Sequence, residues 1–321
     1  MYNIGLYCII KNEYRLYEFL LYYLHLGINY FFILDDDSNI DYYDIFKKLD
    51  IDNNCYEIHK TKDLQVEITE YTFQHEFKSS YFFSSYLYDR LLTKKIDYIM
   101  QIDADEFLCF KEQSITDIIE KYQPFDAIRI NWLIFGSNNI INNNSDSIIK
   151  TFIYCSEKLQ ELTKSITKVS SIDKSKFKYG ISAHYTPIYD SCITKNILNQ
   201  IIDNRSVSIK LDLSYENILK NVYLAHYVNQ DFNTFVKRKI LRIDTFKHLC
   251  DVNKTKVYIY NNLDDFILFV YKKYINEIDC ILEEKFKIIP NEYINFLISF
   301  YNCHNLNDHI NLNVMNKLYN K

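Results

Sequence analysis

The sequence predicts an α/β fold: a mostly parallel sheet flanked by helices, with a helical extension at the C-terminus. Three observations carry the prediction. Apolar runs of strand length alternate with segments of helical period through the first hundred residues, as in β-α-β units. Two of those runs end in acidic clusters, Asp35-Asp36-Asp37 and Asp103-Ala104-Asp105. Open α/β sheets bind ligands outside the carboxyl ends of their strands, where such clusters would sit. From about residue 255 onward the chain shows only helix-like patterning.

Ile4 to Ile10 is a short apolar run that suits a buried strand. Asn12 offers an N-cap and Glu13 a first-turn acid for a helix in which Leu16, Phe19, Leu20, Tyr23 and Leu24 recur at helical spacing. Gly27 is placed to end it. Tyr30 to Leu34 reads as the second strand and runs into the first acidic cluster. A helix over Asp41 to Leu49 and a strand from Cys55 to Ile58 come next. A longer helix is expected over Ser79 to Thr93, with Phe83, Tyr86, Leu87 and Leu91 on one face. Asp97 to Ile102 is a strand ending at Asp103, and Asp126 to Phe135 is another. Residues 137–150 are Asn-rich and loop-like, and 160–228 read as short strands and turns. A helix begins at Asp231, with Phe232, Phe235, Val236, Ile240 and Ile243 along one face. The chain therefore divides into a sheet domain, residues 1–250, and a helical region, residues 251–321. The apolar residues of that tail, Phe266, Leu268, Phe269 and Ile281 among them, need a covering surface. The sheet domain is one candidate cover, and a second copy of the chain, giving a homodimer, is the other.

Composition narrows the function classes. The 321 residues are 48% hydrophobic and 25% charged, the balance of a soluble globular protein long enough to bury a large core. The net charge of −5 argues against a general nucleic-acid binder, which needs a basic surplus. Gly is 4 and Pro 3, against 30 Tyr and 22 Phe. Tyr, Phe, Asn, Ile and Lys share A/T-rich codons, so the bias points to an A/T-rich genome, cellular or viral. The eight cysteines are scattered and form no C-x-x-C pair, which reads as reduced thiols rather than a zinc site or a disulfide framework. No run of 18 apolar residues and no signal-peptide pattern is present, so a cytoplasmic protein without an integral membrane segment is expected.

The acidic strand ends carry the chemistry. Negative charge builds on a departing diphosphate when a sugar leaves a nucleotide, and a divalent cation stabilises it. Hard cations such as Mn²⁺ or Mg²⁺ take carboxylate oxygens. Asp103 and Asp105 alternate along an extended backbone, so one of them is expected to meet the ion directly. An acidic loop after a strand, with no ligand at all, is the plain alternative.

Further motifs lie in order along the chain. They are Cys8-Ile9-Ile10-Lys11-Asn12-Glu13, then Glu18, His25 and Gly27, then Asp36 to Asp41. Asp103-Ala104-Asp105-Glu106-Phe107, Trp132-Leu133-Ile134-Phe135-Gly136-Ser137, Lys164-Ser165-Ile166, His184, and His226-Tyr227 with Phe235 and Lys239 follow. Together they resemble the family 2-like and family 92-like glycosyltransferases of GT-A fold, over roughly residues 4–245. The resemblance implies a Rossmann-like GT-A sheet and an inverting glycosyltransferase. It implies a nucleotide-sugar donor, often UDP-linked, and a glycan or other hydroxyl acceptor. It places Asp36 or Asp37 at the base or ribose, and Asp103 at the ribose or the metal. Lys11 and Glu13 would line the nucleotide pocket, although helix-start electrostatics explains them equally. Asp105 is the expected metal ligand, with His226 as a third ligand beside the two aspartates. Lys239, in the basic run with Lys237, Arg238 and Arg242, would reach the diphosphate, although a solvated helix face is that run's default meaning. Trp132, Gly136, Ser137 and His184 would form the acceptor side, although a buried core Trp132, a plain turn at Gly136 and a phosphate-binding or core His184 are open alternatives. No familiar catalytic carboxylate is visible; Glu106, beside the metal motif, is the candidate base unless it points into the sheet, with Asp173 and Glu161 as outsiders. The alternatives are a non-catalytic nucleotide- or carbohydrate-binding protein on the same fold, and a sugar-phosphate transferase.

Overall fold

The computed structural model describes residues 2–64, 81–112, 114–137, 140, 147–179, 184, 186–228, 230–231, 234 and 287–288. Its centre is a parallel run of four strands: β1 (Ile4–Ile10), β2 (Tyr30–Asp35), β3 (Tyr56–Lys60) and β4 (Tyr98–Gln101). Their order across the sheet is β3-β2-β1-β4. β1 pairs parallel with β2 on one side, Gly5 opposite Tyr30, and with β4 on the other, Ile4 opposite Tyr98.

β1 is apolar throughout because both its faces are covered. Ile4, Leu6, Cys8 and Ile10 enter the core under helix α1 (Leu16–His25), while Tyr7 and Ile9 enter the opposite core. That second core contains Phe82, Phe83, Leu87 and Leu91, from the helical stretch that ends in α3 (Tyr88–Thr93). Ser79 and Ser80 of the expected long helix lie outside the described residues, and Phe83–Leu87 is wound as a π-helix. Helix α2 (Tyr43–Lys48) lies within the expected Asp41 to Leu49 span.

Asn12 does not cap α1. It adopts φ 48°, the left-handed region that Asn tolerates, and its amide donates to Ser38 Oγ at 2.7 Å. The helix therefore starts four residues later, at Leu16. Its end is as expected: Gly27 takes φ 95°, and Ile28 N–H closes the turn on the Tyr23 carbonyl at 3.0 Å.

The second half of the sheet turns mixed. β6 (Ala127–Ile134) and β8 (Thr163–Lys168) are antiparallel, and β8 runs antiparallel beside β4. β9 (Thr194–Asn196) joins the other edge of β6 in parallel, followed by β10 (Ile201–Ile202). β11 (Tyr223–His226) lies between β5 (Glu106–Cys109), antiparallel, and the far half of β6, parallel. Helix α4 (Ile115–Tyr122), opened by a reciprocal Ser114–Asp117 capping box, was not read from the sequence. Helix α5 (Ile148–Thr151) begins at the end of the Asn-rich segment, and α6 (Tyr215–Lys220) precedes β11. The tail, residues 251–321, lies outside the described residues except Lys287–Ile288. These two form β12, antiparallel to β7 (Tyr154–Cys155), and are a strand where a helix was expected.

Candidate functional site

The strand order fixes where a ligand site belongs. The chain leaves β1, builds β2 and β3 on one side, then crosses back to place β4 on the other. The carboxyl ends of β1 and β4 therefore flank a topological switch point. Lys11 and Glu13 follow β1, and Asp103 and Asp105 follow β4. Asp36 and Asp103 stand at the ends of β2 and β4, so β1 separates them. They are one strand further apart than adjacent strand ends would be.

On the β2 side, Lys11 Nζ pairs with Asp36 Oδ2 at 3.1 Å. Thr61 Oγ1 donates to Asp36 at 3.0 Å or to Asp37 at 3.1 Å, and Lys62 N–H reaches Asp37 at 3.3 Å. Asp35 Oδ1 accepts the Ser38 amide at 2.9 Å. Glu13 is buried, with its amide donating to Tyr42 Oη at 2.6 Å. A cleft of about 370 Å³ beside this strand end is lined by Asp35, Ser38, Asn39, Asp41, Tyr43 and Lys60.

On the β4 side, the four residues Asp103 to Glu106 form a tight turn. Glu106 N–H donates to the Asp103 carbonyl at 3.0 Å, and Asp103 N–H donates to Glu106 Oε2 at 2.9 Å. Lys164, on β8, reaches across with Nζ 2.8 Å from Asp103 Oδ2 and 3.5 Å from Glu106 Oε2. Burial alone would lower the Lys164 ammonium, but Asp103 and Glu106 outweigh it and hold it above the usual lysine range. Burial also pushes the Glu106 carboxyl well up. Lys164 opposes this, and the nearby Asp103 and Asp105 add to it.

β11 brings the remaining parts together. It sets His226 opposite Glu106 on one side and Ile134 on the other. His226 Nε2 then lies 3.9 Å from Asp105 Oδ1, and Tyr227 N–H donates to the Asp105 carbonyl at 2.9 Å. The Trp132 ring sits 4.4 Å from the His226 ring and 5.2 Å from that of His184, with Lys164 Nζ 6.0 Å from the indole centre. Trp132 Nε1 is buried with no hydrogen-bond partner among the described residues. Gly136 follows β6, its amide donating to the Tyr154 carbonyl at 3.1 Å, and Ser137 comes next.

Sequence-predicted residues thus fall into two groups flanking β1: Lys11, Glu13, Asp36 and Asp37, and then Asp103, Asp105, Trp132, His184 and His226. Lys239 lies outside the described residues. Among the described residues no three acidic, histidine or cysteine side chains close on one point, so Asp103, Asp105 and His226 do not form a three-ligand cage. Asp105 and His226 face each other, whereas Asp103 is tied to Lys164. Glu106, the candidate base, is 0% exposed and accepts the Asp103 amide inside the turn.

Two functional-looking residues were missed. Lys164 stood only within a resemblance. Arg129, wholly buried in β6, donates to the carbonyls of His184 at 3.3 Å and Asn204 at 3.0 Å. An arginine inside an apolar strand was its one visible signal.

No family model matches the chain, and no curated protein matches it. Among solved structures, the mannosyltransferase Ktr4p from S. cerevisiae is similar at 12% identity and TM-score 0.29, over 43% of this chain and 41% of that one. Core-mannan synthase A from Aspergillus fumigatus, in its Mn/GDP form, is similar at 12% identity and TM-score 0.32, over 56% and 64%. The 4-diphosphocytidyl-2C-methyl-D-erythritol synthase of Anaerococcus prevotii DSM 20548 is similar at 10% identity and TM-score 0.29, over 58% and 90%. The chain thus spans less than two thirds of the length of the first two.

Proposed function

We propose that the chain is a divalent-cation-dependent glycosyltransferase. It moves a sugar, with inversion, from a nucleoside diphosphate donor to a glycan or other hydroxyl acceptor, and UDP-linked sugars are the first donors to test. The observation that carries this is the Asp105–His226 pair at the β1–β4 switch point, 3.9 Å apart beside the Asp103–Lys164 ion pair.

The donor set suits the ion. A carboxylate oxygen and an imidazole nitrogen match Mn²⁺, and a smaller complement of protein ligands is usual where substrate phosphates supply the rest. Asp105 and His226 would hold it, and bound there it neutralises charge on the leaving diphosphate. The chain's own groups do the remaining work. Asp36 and Asp37, braced by Lys11 and Thr61, present acceptors for ribose or base. Trp132, half-buried between two histidines, offers an aromatic face to an acceptor sugar.

The test uses Asp105→Asn. In the wild type, Mn²⁺ with UDP or GDP should raise the melting temperature, since the ligands bind only the folded state. In Asp105→Asn that stabilisation should vanish while the ligand-free melting temperature stays within a few degrees. Release of nucleoside diphosphate, on whichever nucleotide-sugar the wild type turns over, should fall by about 10³-fold or more, a loss of several kcal/mol of barrier stabilisation. Retained turnover in Asp105→Asn would remove the reading.

A further inference from the structure

Among the described residues β3 pairs with β2 alone and forms an edge of the sheet. A cleft of about 590 Å³ runs along that edge, larger than the one beside Asp35 and within the size range of ligand sites. Tyr43 and Ile58 line both clefts, so the two meet at the edge strand. Tyrosines form its walls from both faces of the sheet. On one face Tyr56 stacks on Phe46 of α2, ring centroids 4.2 Å apart. On the other, Tyr86 stacks on Phe82 at 5.4 Å. Both phenylalanines are wholly buried and fix the ring in front of them.

The tyrosine hydroxyls are already committed to the chain. Tyr30 and Tyr86 donate to Glu57 at 2.9 and 3.1 Å, Tyr56 to Asn53 Oδ1 at 2.9 Å, and Tyr43 to the Ile58 carbonyl at 3.4 Å. The rings are therefore held in place, with little freedom left to lose on binding. Glu57 is saturated as well, since Arg90 pairs with both its oxygens. The polar groups left over are donors. Arg90 spends Nε and Nη2 on Glu57 and keeps Nη1. Asn53 turns its NH₂ away from Tyr56. Lys94 Nζ meets the Asn54 carbonyl at 3.3 Å and the Tyr30 ring at 4.8 Å, and no carboxylate among the described residues. Burial holds the His59 imidazole below the usual histidine range, and Glu57 cancels Arg90, so Lys94 leaves the cleft with one net positive charge at neutral pH. A ligand here must bring acceptors and a negative charge. An added peptide strand would need the edge acceptors of β3, and Tyr43 already occupies one of them.

We propose that the β3 edge is a separate binding site for an acidic oligosaccharide. Sugar C–H faces lie on the held rings of Tyr56 and Tyr86, and a carboxylate on the sugar meets Lys94, with Arg90 Nη1 and the Asn53 amide donating to neighbouring oxygens. The site stands apart from the β1–β4 switch point and does not depend on the cation reading of that end.

The experiment titrates the full chain by calorimetry at low ionic strength with four probes: hexagalacturonate, its neutral methyl ester, a hexaglutamate peptide and a single-stranded hexanucleotide. Hexagalacturonate should bind with a Kd of about 0.1–1 mM, as suits an open cleft. The ester should bind about fivefold more weakly, the size of effect one solvated charge pair gives. The peptide and the oligonucleotide should bind more weakly than the acidic sugar. Lys94→Glu should bring hexagalacturonate down to the affinity of the ester or below it, with the Mn²⁺–nucleotide stabilisation unchanged. Tyr56→Leu keeps apolar cover over Phe46 but removes the flat ring, and should weaken acid and ester alike by about fivefold to tenfold. If Tyr56→Leu does not fold, Lys94→Glu and the four probes decide the matter alone. No binding of hexagalacturonate at about 5 mM, far above the expected Kd, would overturn the proposal, as would an unchanged affinity in Lys94→Glu. Equal binding of the peptide or the oligonucleotide would overturn it too, by showing a surface that takes any polyanion. A wild type that binds the sugar but shows no Mn²⁺–nucleotide stabilisation would sink the glycosyltransferase reading and support this one.

Discussion

Glu106 is the residue whose surroundings most alter its chemistry. A general base must come within hydrogen-bond reach of the hydroxyl it deprotonates. Glu106 instead spends one oxygen on the Asp103 amide and the Lys164 ammonium, inside a wholly buried turn. Its part is to hold the turn that presents Asp103 and Asp105. Glu106→Gln keeps an acceptor for the amide, so turnover should stay within about tenfold of wild type, where loss of a true base costs about 10²–10⁴. The readout is nucleoside diphosphate release at saturating donor. A drop beyond a hundredfold, with Mn²⁺–nucleotide stabilisation intact, would return the base role to Glu106. Residue chemistry was legible where a side chain stood next to a strand end, as with Asp103 and Asp105. It was not legible for Lys164, whose meaning depends on β8 lying antiparallel beside β4 and placing Nζ at the end of its neighbour.

At the scale of elements, α1 organises the site from below. Tyr23 ties it to β5, and its first turn holds two later segments. Arg15 reaches Gln230 Oε1 at 2.8 Å and Asp231 at 3.7 Å. Glu18 accepts Ser147 Oγ and the Ile148 amide, each at 2.8 Å, where the chain returns from the Asn-rich segment after Gly136 and Ser137. Burial raises the Glu18 carboxyl to about 6, against the pull of those hydrogen bonds and of Arg15. Because the folded value lies above the unfolded one, the neutral acid favours folding. That contribution is complete below about pH 4.5 and is lost as pH rises through 6. That rise corresponds to about 2 kcal/mol. Glu18→Gln should therefore gain about 2 kcal/mol relative to wild type between pH 4.5 and 7.5, read as the difference in urea-unfolding free energy at the two pH values. An unchanged difference would show that Glu18 is ionised with no penalty. The helix itself was legible from its apolar spacing and from Gly27, but its start was not. The left-handed Asn12 is set by Ser38 and Asn39, more than twenty residues away.

Across the whole molecule, the parallel half was readable and the mixed half was not, for a physical reason. β1, β2 and β4 are covered on both faces and so appear as unbroken apolar runs. β5 and β11 are four residues each, too short for a period, and β11 reaches its place beside β5 only after the chain has built five further strands, β6 to β10. That insertion is what joins Asp105, His226 and Trp132. β6 is the seam: its first half pairs with β8 and β9, its second with β11. Arg129 sits in the middle of it, wholly buried, and holds the backbone at His184 and Asn204 by their carbonyls. Arg129→Met keeps most of the volume but leaves those partly buried carbonyls without their charged donor. Losses of this kind cost about 1–3 kcal/mol for each buried group stranded, so a total of about 2–4 kcal/mol is expected. Trp132, the only tryptophan, lies three residues along the same strand and against His184. Its fluorescence should therefore report the change directly. The urea midpoint followed by that signal should fall by about 1 M, given a slope near 3 kcal/mol/M for a chain of this size. Arg129→Lys should recover only part of it, because an ammonium lacks the planar fork that spans two carbonyls. A midpoint unmoved in Arg129→Met would mean that the seam is held by its strand pairing alone.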